Sequence, residues 1–232
     1  MANALGNAQD MAAKSAWPYP NESADYRQAR TALLAEEIEL RRHIERVSEM
    51  RRALPPGGPV TGDYRFDSAR GAVGLADMCG DKQTLVTYSW MFGPERERPC
   101  PMCTNFLSAL NGVAPDLEQN VAVGVIARSP VDRMADFARE RGWRHLRFYS
   151  DPTGAYSRDY HALLGDADDI PALNVFSRKD GTIRLFYGGE MGQEAADPGQ
   201  DPRGAPDLSP LWTLLDMTPE GRRPDWYPKL DY

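Results

Sequence analysis

From Ser23 to Ala53 the apolar residues return at three-, four- and seven-residue intervals. Tyr26, Ala29, Leu33, Leu40, Ile44 and Val47 fall on one stripe of a long, heavily charged helix, with Ser23 or Asp25 as candidate caps. On its solvent side Glu37 and Arg41 stand four residues apart, a spacing expected to add about 0.2–0.5 kcal/mol of helix stability. So narrow a stripe predicts packing on the rest of the chain or on a second copy, which would give a homodimer. Residues 1–20 mix Asn, Ala, Gln, Asp and Pro and read as a flexible leader. Leu54-Pro55-Pro56-Gly57-Gly58-Pro59 ends the helix, because proline lacks the N–H and glycine prefers turns, and it marks a boundary.

Beyond that boundary the pattern alternates between strand-like and helix-like runs. Gln83–Phe92 reads as a strand and Thr104–Leu117 as a helix; Val121–Ala127 is a short β-branched run of the buried parallel kind. Ser129-Pro130 opens a helix over Val131–Arg141, ended by Gly142. His145–Tyr149 is a weaker strand, and Asp151-Pro152-Thr153 starts a helix expected to run to about Leu164. Leu173–Phe176 and Thr182–Tyr187 are strands joined through Asp180-Gly181, a hairpin signal. Gly192–Pro206 reads as a long loop, followed by a short helix at Leu208–Asp216 and an aromatic tail at Trp226-Tyr227-Pro228. The alternation predicts an α/β fold, a central mixed sheet flanked by helices, over residues 56–192. An N-terminal helical arm occupies residues 1–55, and residues 193–232 form a C-terminal extension packing on the domain.

Composition narrows the chemistry. In 232 residues the net charge is −7, which argues against nucleic acid or anionic lipid as partners. No apolar run approaches the roughly 18 residues that would span a bilayer, and the first 20 residues hold no signal-peptide core, so a cytoplasmic protein is expected. Three cysteines are too few for a secreted disulfide framework. A close pair in a reducing compartment points instead to catalysis or metal.

That pair is Cys100-Pro101-Met102-Cys103, placed just after a strand and at the start of a helix. The first N–H groups of a helix lack intrahelical acceptors and carry the positive end of its dipole, so a thiolate there is favoured. Pro101 suits the first helical turn. Cys100, on the solvent side, is the expected nucleophile, and Cys103, one turn inward, the resolving thiol. Cys-x-x-C motifs also hold zinc, which needs four ligands; Cys79, His43, His145 and His161 are scattered singly. A structural pair without turnover, in a non-catalytic interaction protein, is the other alternative. Cys79 stands where a small buried hydrophobe is expected, with a third redox thiol as the alternative. The charged loop Glu95-Arg96-Glu97-Arg98 before Cys100 reads as a solvated turn, with Arg96 or Arg98 lowering a thiol pKa as the alternative. Tyr88, Trp90 and Phe92 alternate as core or pocket-lining residues.

Ile170-Pro171-Ala172-Leu173-Asn174-Val175-Phe176, followed by Asp180-Gly181, completes a resemblance to the thioredoxin fold. There a cis-proline begins the strand that faces the cysteine pair, and a hairpin follows. A cis bond at Ile170-Pro171 would leave backbone beside the sulfurs free to pair with an extended substrate; a trans proline that merely opens a strand is the alternative. Substrate contact is thus expected at Ile170, Pro171, Pro101 and Met102. Gly74–Lys82 resembles the lead-in segment of peroxiredoxins, yet their peroxidatic motif has Thr three residues before its cysteine, where this chain has Glu97.

Three stretches are similar to the DUF899 family of thioredoxin-like proteins: Ala29–Leu34 through Arg51–Pro55, Trp90-Met91-Phe92-Gly93-Pro94 with its cysteine motif six residues on, and Gly142-Trp143. That family is described as predicted dithiol-disulfide oxidoreductases or isomerases. The resemblance implies a redox pair at Cys100 and Cys103, no cofactor, a thiol or disulfide substrate (protein or small molecule) and an electron donor or acceptor, without naming the substrate.

Overall fold

The computed structural model describes residues 5–165, 167–189, 209–221 and 225–231. It divides into two compact units, Met1–Pro55 and Pro56–Tyr232.

The first unit is a helical pair. Helix α2 (Ala24–Arg52) begins at Ser23, whose side chain accepts from the Tyr26 N–H. Residues read as a leader contain helix α1 (Ala8–Ser15), capped by Asn7, which accepts from the Gln9 and Asp10 N–H groups. Its apolar face is built from alanine, so it gives little hydrophobic signal: Ala8 and Ala12 are buried with Ala35, against Leu34 and Ile38 of α2. Arg42 ties the pair by donating to the Gly6 carbonyl at 2.7 Å. The face of α2 that meets α1 lies off the predicted stripe, on which Leu33, Leu40 and Ile44 are 53%, 59% and 57% exposed in the single chain. Glu37 pairs with Arg30, two turns back, rather than with Arg41.

The second unit is built on a seven-stranded sheet in the order β2-β1-β5-β4-β3-β8-β9. Its strands are β1 (Arg65–Ser68), β2 (Gly71–Gly74), β3 (Thr84–Ser89), β4 (Ala122–Ala127), β5 (Phe148–Ser150), β8 (Ala172–Lys179) and β9 (Thr182–Gly189). β3, β4 and β5 run parallel, while β8 and β9 form an antiparallel hairpin added beside β3. The hairpin turns at Asp180 and Gly181, both with positive φ (51° and 75°), as the Asp-Gly pair predicts. Helix α3 (Leu75–Met78) lies in the lead-in segment; α4 (Pro101–Leu117) follows β3 and α5 (Val131–Glu140) follows β4. This is a thioredoxin-like arrangement, a central mixed sheet flanked by helices, with a helix starting at the cysteine pair and a hairpin whose first strand follows Pro171.

The sheet separates two cores. Tyr88, Trp90, Val125 and Leu173 face α4 and α5 with Leu107, Met134, Phe137 and Trp143. Leu85, Ile126 and Phe176 face Phe66, Leu75, Met78 and Tyr156 on the other side. The period of two along β3 and β4 thus feeds both layers, as a doubly covered sheet requires.

Two local expectations are corrected, and one hairpin was not foreseen. The helix opened by Asp151 is only α6 (Ala155–Asp159): His161 takes a left-handed φ of 55°, the Ala162 N–H turns back to the Ser157 carbonyl, and a small β6 (Leu163–Leu164)/β7 (Asp168–Asp169) pair follows. The strand expected at His145–Tyr149 is displaced to Phe148–Ser150. The β1/β2 hairpin was not anticipated, because each strand has only 4 residues and a single sizeable apolar side chain, Phe66 in β1 and Val73 in β2. The loop read at Gly192–Pro206 lies outside the described residues; the C-terminal helix is α7 (Pro210–Asp216).

Candidate active site

Cys100 is the N-cap of α4, with extended backbone (φ −60°, ψ 126°), and Pro101 fills the first helical position. The Cys100 N–H donates to the Met91 carbonyl at 3.1 Å, fixing the residue against the end of β3. Its carbonyl accepts from both the N–H and the Oγ1 of Thr104. Cys103, one turn later, is 1% exposed. Cys100 is half-buried, and both thiols are free.

Two sulfurs three residues apart acquire opposite properties. The Cys103 thiol donates to the Cys100 sulfur, and the Cys103 and Met102 N–H groups of the helix start favour the same charge, with the Arg96 guanidinium adding to them. Together they outweigh burial and lower the Cys100 pKa from 9.0 to about 6. Cys103 is pushed the other way, first by the proton it shares with Cys100 and then by burial. The pair therefore favours a negative charge on Cys100 over one on Cys103.

The loop between β3 and the cysteines is pinned from three directions. Arg133 of α5 donates to the carbonyls of Arg96 and Glu97, the latter at 2.7 Å, and its guanidinium lies 4.4 Å from the centre of the Phe92 ring. Ser129 donates through its N–H to the Phe92 carbonyl and through Oγ to the Gly93 carbonyl. The buried Asp169 carboxylate accepts from Arg128 Nε at 2.7 Å and lies 3.9 Å from Arg96 Nε. A Cβ at Gly93 would overlap Asp169 Oδ2, which explains the glycine of the Trp-Met-Phe-Gly-Pro segment. Asp169 thus joins the loop carrying Arg96 to the strand end carrying Ile170 and Pro171.

Pro171 is the residue before β8, whose first residue Ala172 stands opposite Ser89, the last of β3. That register puts Ile170 and Pro171, both partly buried, at the sheet end where Cys100 is tied to Met91. Pro101 and Met102 are also partly buried. Of the two arginines considered, Arg96 acts on Cys100, whereas Arg98 is paired with Asp231 at 2.5 Å. Cys79 lies apart, buried in the opposite core, where burial raises its pKa. His161 is exposed. Among the described residues no three His, Cys, Asp or Glu side chains gather as a metal site would need. Nor does any helix among them have the length and apolarity to cross a membrane.

Sequence reasoning missed Arg133, Arg128 and Asp169 as supports of the site, since charged residues 30 and 70 positions from the cysteines carry no local signal. It placed Tyr88 among core or pocket-lining residues; the structure buries it in the cluster that also holds Cys103.

A family model described as "bacterial protein of unknown function (DUF899)" matches residues 18–232. The chain belongs to the DUF899 family. Solved structures similar to this DUF899 chain include a PrxQ variant from Xylella fastidiosa, 16% identical over 58% of this chain and 84% of that one, with a TM-score of 0.46. A hypothetical protein from Sinorhizobium meliloti 1021 is 20% identical over 66% of this chain and 80% of its own, at 0.42. The exposed lipoprotein thioredoxin Etrx1 from Streptococcus pneumoniae is 12% identical over 63% and 96%, at 0.41. No protein of curated function matches this DUF899 chain.

Proposed function

We propose that the protein is a thiol-disulfide oxidoreductase working through Cys100 and Cys103. The observation that carries this reading is the unequal placing of the two free thiols: Cys100 half-buried at the N-cap of α4, where the helix N–H groups favour its thiolate, and Cys103 buried one turn inward, where burial opposes charge. Cys100 thiolate attacks a substrate disulfide, forming a Cys100–substrate disulfide and releasing the first substrate thiol. Cys103 then attacks Cys100 Sγ; the mixed disulfide breaks, its electron pair and the Cys103 proton go to the second substrate thiol, and the pair ends oxidised. Ile170, Pro171, Pro101 and Met102 form the surface around the sulfurs on which a substrate chain would lie. The partners are a thiol or disulfide, protein or small molecule, and an electron donor or acceptor, in a reducing cytoplasm; no metal or organic cofactor enters the scheme.

The test is the pH dependence of Cys100 alkylation together with the redox midpoint of the pair in glutathione or dithiothreitol buffers. Alkylation rising through a midpoint well below the 9.0 of an ordinary thiol, with a reversible two-electron couple, is expected. Unreactive thiols, or zinc released stoichiometrically on alkylation, would leave a structural or binding role as the better account.

A further inference from the structure

A cleft of about 480 Å³ opens in the second unit at the outer edge of β5, and neither Cys100 nor Cys103 lines it. We propose that this cleft binds a small amphipathic monocarboxylate, with its hydrocarbon body inside and its carboxylate on the Arg70 guanidinium. The inference does not rest on the oxidoreductase reading.

The cleft follows from where β1 ends. Ser68, its last residue, stands opposite Tyr149, and the chain turns at once through Ala69 and Arg70 into β2. β5 is paired with β4 along its other side, so Phe148 has no strand beside it on the outer side. Both core layers reach this opening. Ala138, Trp143 and Phe148 belong to the core under α4 and α5, and Val73, Met78 and Tyr149 to the core on the other side of the sheet; all of them line the cleft. Ala135 of α5, partly buried, completes the wall. The size and the mainly apolar lining are those of small-molecule sites, which run from about 300 to 1,000 Å³ and use a few polar groups to orient the ligand.

Three charged side chains line the cleft: Arg70, Arg147 and Asp77. Two of them are engaged. Arg147 lies 3.1 Å from the Glu118 carboxylate, and Asp77 accepts from the Gly74 N–H at 2.7 Å at the start of α3. The Arg70 side chain has neither a hydrogen bond nor an ion pair among the described residues; only its main-chain N–H is used, donating to Ser68 Oγ at 3.1 Å. One cation without a counter-charge, at the edge of an apolar cleft, complements one anionic group on an apolar body. A doubly charged phosphate fits less well, because its second charge would find no second open cation and would share the cleft with Asp77. Arg70 is exposed, so the carboxylate stays near water and burial of the hydrocarbon supplies most of the affinity.

Octanoate titrated into the full chain is the probe, with octanol as its uncharged counterpart and ω-bromooctanoate as a quencher of tryptophan emission. Saturable binding of a single octanoate is expected, with quenching by the brominated chain that falls in Trp143→Phe, since Trp143 lines the cleft. Arg70→Gln, a change at an exposed residue, should weaken octanoate about three- to fivefold, the scale of an exposed ion pair. It should leave octanol within about twofold and remove the salt dependence of octanoate binding. Ala135→Phe places a ring in the cleft and should abolish binding of both compounds, with a urea titration on the same sample showing that the variant is folded. Absence of saturable octanoate binding, or an Arg70→Gln effect that is nil or equal for octanoate and octanol, overturns the proposal. So does binding that survives in folded Ala135→Phe, which would put the ligand on another surface such as the exposed apolar stripe of α2.

Discussion

The charge on Cys100 is made by its neighbours, and it makes stability depend on pH. The folded chain lowers its pKa from 9.0 to about 6, so the native state favours the thiolate. A group of that sign contributes its full stabilisation above about pH 9 and loses it as pH falls through about 6. Reduced protein should therefore show a urea midpoint that rises between pH 6 and 9 by more than that of a Cys100→Ala variant. Parallel curves would mean that the thiolate is not held by the fold. Cys103, shifted upward, works in the opposite direction, and only above its ordinary titration range. Arg96→Gln removes a weaker favourable influence on Cys100 than the Cys103 thiol, so the alkylation midpoint should rise, by less than in Cys103→Ala. At this scale the cysteine motif and its helix start were legible, because both are short-range facts. The alternation of Tyr88 announced a core or pocket-lining place; that it shares one core with Cys103 depends on how β3 lies across α4, which no local pattern encodes.

Among the elements, the loop from β3 to α4 is where distant parts of the chain converge. Gly93 lets Asp169 approach so closely that a methyl group has no room, and the carboxylate is itself held by Arg128. Gly93→Ala should cost about 1–3 kcal/mol, the usual range for overpacking, and should slow Cys100 alkylation by displacing Arg96. Denaturant unfolding and alkylation kinetics on the same sample check both halves; unchanged stability would show that the loop is free to shift. Arg133→Ala leaves the Arg96 and Glu97 carbonyls without that donor and uncovers the Phe92 ring, so proteolysis at residues 94–98 should become faster with the sheet intact. The major strands and α4 and α5 were readable from period and turn chemistry. Helix α1 was not, because alanine packing gives almost no hydrophobic contrast, and α6 stopped early because His161 accepts a left-handed conformation that composition does not foretell. The helix of the stripe is present in α2, while the face that closes on α1 is built from small residues, Ala8 and Ala12 against Ala35, which give little hydrophobic contrast.

On the scale of the whole second unit, the end of the chain returns to the site. Leu230 is buried in the core that holds Trp143, Phe137 and Cys103, and Arg141 donates to its carbonyl at 2.7 Å. Next to it Asp231 meets Arg98, two residues before Cys100, while Trp212 of α7 meets Trp226 edge-on at 6.3 Å. The two contacts of this segment differ in what they can contribute. Burying a leucine side chain removes apolar surface from water and is worth about 1.5–3 kcal/mol. The Arg98–Asp231 pair stands in solvent, where screening and side-chain entropy consume most of the attraction. Leu230→Ala should therefore lower the denaturation midpoint and loosen the segment enough to raise the accessibility of Cys103 to alkylation, whereas Asp231→Asn should leave the midpoint unchanged and lose only its salt dependence. If Asp231→Asn proved the more damaging of the two, the segment would be held by charge, and high salt alone should then release it. If Leu230→Ala left Cys103 protected, the core around the thiols would be closed by the sheet, α4 and α5 without help from the C-terminal residues.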